Sequence, residues 1–226
     1  MAARCALGPA PRRVVGGDAL ISGDVLESSP IVGHLLCAVP QLQDPNFKRS
    51  VVLMLEHGDH GALGLIINNP MPAKLSEVAE ALDLEWEGDP EQEIRLGGPV
   101  EQVRGWIVHE QGDWDPSAES IAPGVWLTTS LEPVIQNGNA AFGGGAERFC
   151  FILGYAGWGA GQLEDEIAAG SWVLVPIRGV TSPSEGPGVA PDWLLEPPTD
   201  EMWSDALRSI NVDPVRLVGM RGGLLQ

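Results

Sequence analysis

The segment Gly154-Tyr155-Ala156-Gly157-Trp158-Gly159-Ala160-Gly161-Gln162-Leu163-Glu164 constrains the fold of this chain more than any other. The apolar run from Arg148 to Gly154 reads as a strand that enters a glycine-rich turn, and a helix is predicted from Gln162 to Ala169. Glycines at 154, 157, 159 and 161 imply positive φ or close backbone approach at several positions. Tyr155 and Trp158 are too large for a disposable linker, so the segment is expected to form a shaped corner of the fold. It is not a nucleotide loop: Gly157-x-Gly159-x-Gly161 lacks the GxGxxG spacing, and no GK[ST] follows. Glu164, Asp165 and Glu166 crowd the first turns of the helix, where they complement its positive end and repel a phosphate.

Before this corner, a flexible leader is expected over residues 1–29, where small, polar and Gly/Pro residues alternate without a period. Ile31 to Val39 is apolar on both alternate faces and ends at Pro40, as a doubly covered strand would. After the loop Gln41 to Arg49, Ser50 to His57 and Ala62 to Asn69 flank Gly58-Asp59-His60-Gly61 and predict a hairpin. Leu75, Val78, Ala79 and Leu82 fall at i, i+3, i+4 and i+7, so Lys74 to Leu84 should be a helix with these four on its buried face. Further strands are expected at Ile94 to Leu96, Trp106 to His109, Val125 to Thr129 and Trp172 to Ile177. Leu131 to Ala140 should be helical, and Gly179 to Pro191 should be a mobile loop. Trp203, Ala206, Leu207 and Ile210 repeat the helical spacing, with Thr199 or Asp200 placed to cap that helix. Strands in runs, without strict βαβ alternation, point to a single α+β domain with a large mixed sheet over residues 30–226.

Charge excludes one function class. The net charge is −18, and the 13 Lys and Arg form no basic stripe, so affinity for a phosphate backbone by counterion release is disfavoured. Cys5, Cys37 and Cys150 are odd in number, far apart and without CxxC spacing, which fits a reducing cytoplasm and neither a disulfide scaffold nor a zinc site. Cys37 and Cys150 lie in apolar runs and read as small buried hydrophobes. No stretch approaches the length of a membrane-spanning segment.

Several blocks together resemble the YqgE/AlgH family, a group of bacterial proteins labelled transcriptional regulators. They are Pro40-x-Leu42-x-Asp44-Pro45-x-Phe47-x-Arg49-Ser50-Val51, Glu56-His57, Gly64-Leu65-Ile66-Ile67-Asn68-x-Pro70, Leu96-Gly97-Gly98-Pro99-Val100, Leu127-Thr128-Thr129-Ser130 and the Gly154–Glu164 segment. The resemblance implies a compact α+β fold with a sheet curled toward a barrel and flanked by helices. It also implies a cytoplasmic setting and a regulatory label without an established biochemical activity.

Residues that could carry chemistry are few. His57 and His60 flank a hairpin turn with no third ligand in view, so a solvated turn is expected and no metal or cofactor is called for. Asp44, Ser50 and His57 form the one set from which a small hydrolase could be assembled, with His109 as a further histidine, although no GxSxG elbow is present. The favoured expectation is a non-catalytic protein that binds a protein or small molecule. Its surface would combine Asp44, Phe47, Asn68 and Gly98 with Tyr155, Trp158 and Gln162, as one concave patch of amides, aromatics and few charges. Trp172 and Trp203 fit buried faces, whereas Trp86 and Trp114 lie in acidic turns, where a core or rim role is the favoured expectation and an exposed anchor the alternative.

Overall fold

The computed structural model describes residues 31–110, 112, 115–132, 148–179, 186–198 and 200–219. The leader, Trp114, most of the helix expected to follow Leu131, residues 180–185 and Thr199 lie outside these. Strands β1 (His34–Ala38), β2 (Val51–Gly58) and β3 (Gly61–Ile66) follow the predicted runs, with the β2–β3 turn at Gly58–Gly61. Then come β4 (Pro70–Lys74), helix α1 (Leu75–Ala81), β5 (Glu93–Leu96), β6 (Val100–His109), β7 (Glu119–Ala122) and β8 (Val125–Thr128). Strand β9 (Phe149–Trp158), helix α2 (Gln162–Ala168), β10 (Trp172–Pro176), a 3-10 turn at Pro191–Leu195, α3 (Met202–Arg208) and α4 (Pro214–Gly219) complete the described elements.

The strands form one curled mixed sheet in the order β10-β1-β2-β3-β9-β6-β8-β7, with β5 also on β9 and β4 on β5. Among the described residues the strands pair antiparallel except β5 on β9, and an isolated parallel bridge joins Ile177 to Val189. Alternation sorts the side chains. Leu35, Cys37, Val51, Leu53 and Leu65 face the main core, which α3 closes with Trp203, Ala206 and Leu207. Leu36, Ala38, Val52, Met54 and Ile66 face the opposite side, covered by Leu163 of α2 and by Phe47, Trp158 and Trp172. A third cluster of Leu75, Ile94, Ile107, Phe149 and Phe151 lies under α1.

Strand β9 carries the principal correction to the sequence reading. It runs through the glycine segment to Trp158, and the turn is confined to the residues after it. Cys150 and Ile152 face the main core, and so does Tyr155, three residues on. A regular strand would send residue 155 to the other side. Gly154, at φ 74°, supplies the missing step, because an L side chain rarely adopts that conformation. Beside it, the β6–β9 pairing jumps from Val100↔Tyr155 to Gly105↔Leu153. The glycine therefore rephases the strand, with Tyr155 turned inward and Ala156 and Trp158 outward onto the α2 side.

Other departures have local causes. Strands β4 and β7 escape the hydropathy pattern because they are short and largely exposed or half-buried. Helix α3 begins after Glu201 with no side-chain cap, so Asp200 does not fill that role. Cys37 and Cys150 are buried and free, and burial pushes the Cys37 thiol up to about 12 and raises Cys150 as well, which makes both inert.

Buried Arg95 pins the β5 layer. Its Nη1 donates to the carbonyls of Ile67 (2.8 Å) and Leu194 (2.9 Å), and its Nη2 donates to the carbonyl of Glu196. Arg95→Leu should therefore lower the unfolding free energy by about 2–4 kcal/mol, read from urea denaturation, because these acceptors lose a charged donor. An unchanged midpoint would mean that the carbonyls find other partners.

Candidate functional site

Two regions of the molecule offer more than packing. The first is the corner itself. Phe47 stacks on Trp158 at 6.0 Å between centroids, and Trp172 meets both rings edge-on, at 5.6 Å from Phe47 and 5.9 Å from Trp158. Glu166 collects the polar ends: its Oε2 accepts from Nε1 of Trp158 (3.1 Å) and of Trp172 (2.9 Å), and its Oε1 accepts from Nε2 of Gln162 (3.0 Å). Gln162 Oε1 in turn accepts the Gly159 amide at 3.1 Å. One carboxylate thereby serves two indoles and an amide, and the corner is a satisfied network.

The residues singled out from sequence separate into groups. Phe47, Trp158 and Gln162 do meet at this corner, with Asp44 three residues before Phe47. Asp44 accepts from the backbone amide (2.9 Å) and side chain (3.0 Å) of Asn46, and the Phe47 amide donates to its carbonyl at 3.0 Å. Asn68 bridges the ends of β2 and β3: its Oδ1 accepts from the Val51 amide at 2.8 Å and its Nδ2 donates to the Arg49 carbonyl at 2.9 Å. Gly98 lies directly against the backbone of Tyr155. Tyr155 packs edge-on to Trp106 at 6.2 Å in the main core, on the far side of the sheet from Trp158. The aromatics therefore do not share one concave patch. Tyr155 and Trp158 lie three residues apart on one strand, so ordinary alternation sends them to opposite faces, and the step at Gly154 decides which face each takes.

The hydrolase arrangement is excluded by position. Ser50 precedes β2 and His57 lies near its other end, about 20 Å apart at the usual rise per residue. His57 Nε2 pairs with Glu164 Oε1 at 2.8 Å, and Asp44 is engaged in its own turn. His60 is exposed on the hairpin, and the described residues contain no group of three metal-ligating side chains. Trp86 is no free anchor either: its Nε1 donates to the Asp89 carbonyl at 2.9 Å, and its ring packs edge-on to Phe149 at 6.0 Å.

The second region was not anticipated. An open groove of about 540 Å³ lies between α1 and the irregular half of β6, lined by Val78, Ala81, Leu82, Val103, Phe151 and Leu153 among others. Glu77 borders it and is the only ionisable residue in its lining among the described residues. Leu82, assigned by periodicity to the buried face, follows the end of α1 and is 56% exposed. Val103 is 94% exposed because residues 101–104 fall in the break of the β6–β9 register, where Glu101 adopts φ 45°. Backbone strain of this kind persists only where the surroundings hold it, and it re-aims the side chains next to it. The sequence signal was Val103 alone among Glu101, Gln102 and Arg104, a lone apolar residue that periodicity does not flag.

Nearby, Asp115 accepts from Thr128 Oγ1 and from the Ser117 amide and hydroxyl, both at 2.8 Å. These bonds, Thr128 foremost, hold its carboxyl below the usual carboxylate range. A depressed folded-state pKa contributes stability that is present above the unfolded value, near pH 4, and is lost as pH falls through the folded one. Asp115→Asn should accordingly flatten the decline of the thermal midpoint below about pH 4. An acid limb as steep as that of the parent protein would assign the loss to other carboxylates.

The DUF179 (AlgH-like) family model matches residues 35–215. A UPF0301 protein of Myxococcus xanthus is 41% identical over 192 residues, covering 83% of this chain and 95% of its own. A UPF0301 protein of Ralstonia nicotianae is 36% identical over 194 residues, covering 85% and 94%. Among solved structures, the solution structure of the AlgH protein from Pseudomonas aeruginosa superposes with a TM-score of 0.64 at 30% identity, over 91% of this chain and all of that one. A crystal structure of a Corynebacterium diphtheriae protein shares the fold, with a TM-score of 0.60 at 22% identity over 80% of this chain and 87% of that one. The curled mixed sheet, the glycine-tryptophan corner and these matches lead to one conclusion: the chain belongs to the AlgH-like, UPF0301 family.

Proposed function

We propose that this protein is a non-catalytic binding protein, cytoplasmic and regulatory in role, that acts by holding a partner and not by touching DNA. The observation that carries this reading is the apolar groove beside α1, where Leu82 and Val103 are left exposed over a floor of Phe151 and Leu153. Concave apolar surface with a polar rim is the usual make-up of a binding site. The absence of an assembled nucleophile and base among Asp44, Ser50 and His57 supports binding over hydrolysis. The strong negative charge supports a protein or small molecule over nucleic acid. Asp44, Phe47, Asn68, Gly98, Tyr155, Trp158 and Gln162 enter this reading as the frame that fixes the sheet and its loops, with Asp44 and Gln162 at the accessible edge of the corner.

A solvatochromic apolar dye tests the groove. Its emission should rise with the parent protein and should lose most of that rise with a Leu82→Ser/Val103→Ser double variant. Both positions are exposed, so the double variant should keep its stability within about 1 kcal/mol. Equal dye response from parent and variant would overturn the reading.

A further inference from the structure

We infer that the occupant of the groove is a basic, amphipathic helical segment of a partner protein, with its apolar face against Leu82, Val103 and Phe151 and its lysines or arginines over the α1 side. This rests on the groove being a binding site and identifies what it binds. The argument is the uneven placement of charge. Eight of the chain's 31 acidic residues, Glu77, Glu80, Asp83, Glu85, Glu87, Asp89, Glu91 and Glu93, lie in a stretch that contains no Lys or Arg. Glu77 borders the groove, and Glu80, Asp83, Glu85 and Glu87 are exposed on α1 and just beyond it.

Two cations of the neighbouring elements β4 and β6 are already committed. Lys74 Nζ donates to the Glu91 carbonyl at 3.3 Å and pairs with its carboxylate at 3.6 Å. Arg104 lies over the ring of Trp106 at 4.3 Å, and Trp106 belongs to the main core, on the other side of β6 from the groove. Glu101, next to the lining residue Gln102, is exposed and pairs with Arg104 at 3.4 Å, so the negative side of the mouth is the α1 side. An apolar floor under a one-sign rim selects a partner that is apolar on one face and positive beside it. It disfavours a second copy of this chain, which would bring a net charge of −18 and a matching acidic rim, and it disfavours an anionic lipid surface. The seven residues of α1 extend about 10 Å, enough for a docked helix to present anchors at i, i+3 or i+4, and i+7.

The experiment uses fluorescence anisotropy with three labelled peptides of about 18 residues: leucines at helical spacing with lysines elsewhere, the same leucines with glutamates, and the lysine peptide with its leucines scattered. The leucine-lysine peptide should bind the full chain at least about thirtyfold tighter than the other two, and should weaken steadily between about 50 and 500 mM salt. Leu82→Ser/Val103→Ser should weaken it about tenfold, and Glu77→Gln/Glu80→Gln/Asp83→Asn about three- to tenfold.

Equal binding of the glutamate peptide or of the scattered peptide would overturn the inference, the first by removing charge selection and the second by removing the apolar face. So would peptide binding that ignores the groove variants, or self-association in sedimentation that the Leu82/Val103 variant abolishes. If the dye still reports the groove while the peptide preference fails, the occupant is wrong and the groove reading stands. If the dye response is also indifferent to the Leu82/Val103 change, both fall.

Discussion

Gly98→Ala will abolish the native fold. A Cβ at Gly98 would sit 2.2 Å from both the carbonyl carbon and oxygen of Tyr155 and 2.4 Å from the amide nitrogen of Ala156. These are backbone atoms of β9, and that strand is held by β3, β5 and β6, so no flexible side chain can yield. The φ of 153° adds a conformation that L residues rarely adopt. The expected loss exceeds about 4 kcal/mol, a large part of the stability of a single domain, and should appear as insoluble product or as a missing cooperative transition. Gly124→Ala separates the two causes. Gly124 has φ 75° with nothing within 4 Å of a Cβ, so this variant should fold and lose only about 1–2 kcal/mol. Equal losses at the two positions would show that contact with Tyr155 is not what matters.

Trp158→Ala should be the most costly substitution in the corner after the glycines. It removes the stack on Phe47, the edge contact with Trp172 and one of three donors to Glu166. Truncation of a buried tryptophan costs about 3–5 kcal/mol. For a domain of this size that is a drop of about 6–20 °C in Tm. Trp158→Phe keeps a ring and loses only the indole donor, so its cost should stay near 1–2 kcal/mol. Both values come from calorimetry or urea titration. A Trp158→Ala protein with a parent-like Tm would make the ring a recognition element and not a pillar of the corner.

The legible parts of the fold were those in which one residue pattern meets one environment. The hairpin at Gly58–Gly61 and the strands around it were readable because β-branched and leucine residues alternate between two buried faces. The Trp203 helix was readable for the same reason at helical spacing. The corner was located correctly, but its shape was not. Clustered glycines suggest a turn, yet Gly154 interrupts the alternation of a strand that continues for four more residues, a distinction of backbone angle that composition does not record.

The site was less legible still. The family-like polar residues are engaged locally: Asp44 within its own turn, Asn68 on the start of β2, and Gln162 on the turn before α2. The groove is defined by residues that only become conspicuous through exposure, such as Leu82 just past its helix end and Val103 in a register break. Periodicity assigns a face to a side chain, but it does not say whether anything covers that face.

Strand β9 also dictates when the molecule can become itself. It is the partner of β3, β5 and β6, all of which precede it in the chain, and β1 must wait longer still for β10 at Trp172–Pro176. On a ribosome, the first half of the protein thus emerges as strands whose edges have no neighbour, and closure requires residues more than a hundred positions apart, such as His34 and Pro176, to meet. Assembly is therefore a late, cooperative event, with refolding expected on the millisecond-to-second scale of non-local sheets. Nascent chains halted before Phe149 should be substrates for holding chaperones, and chains that have released both β10 and the core-closing α3 should not.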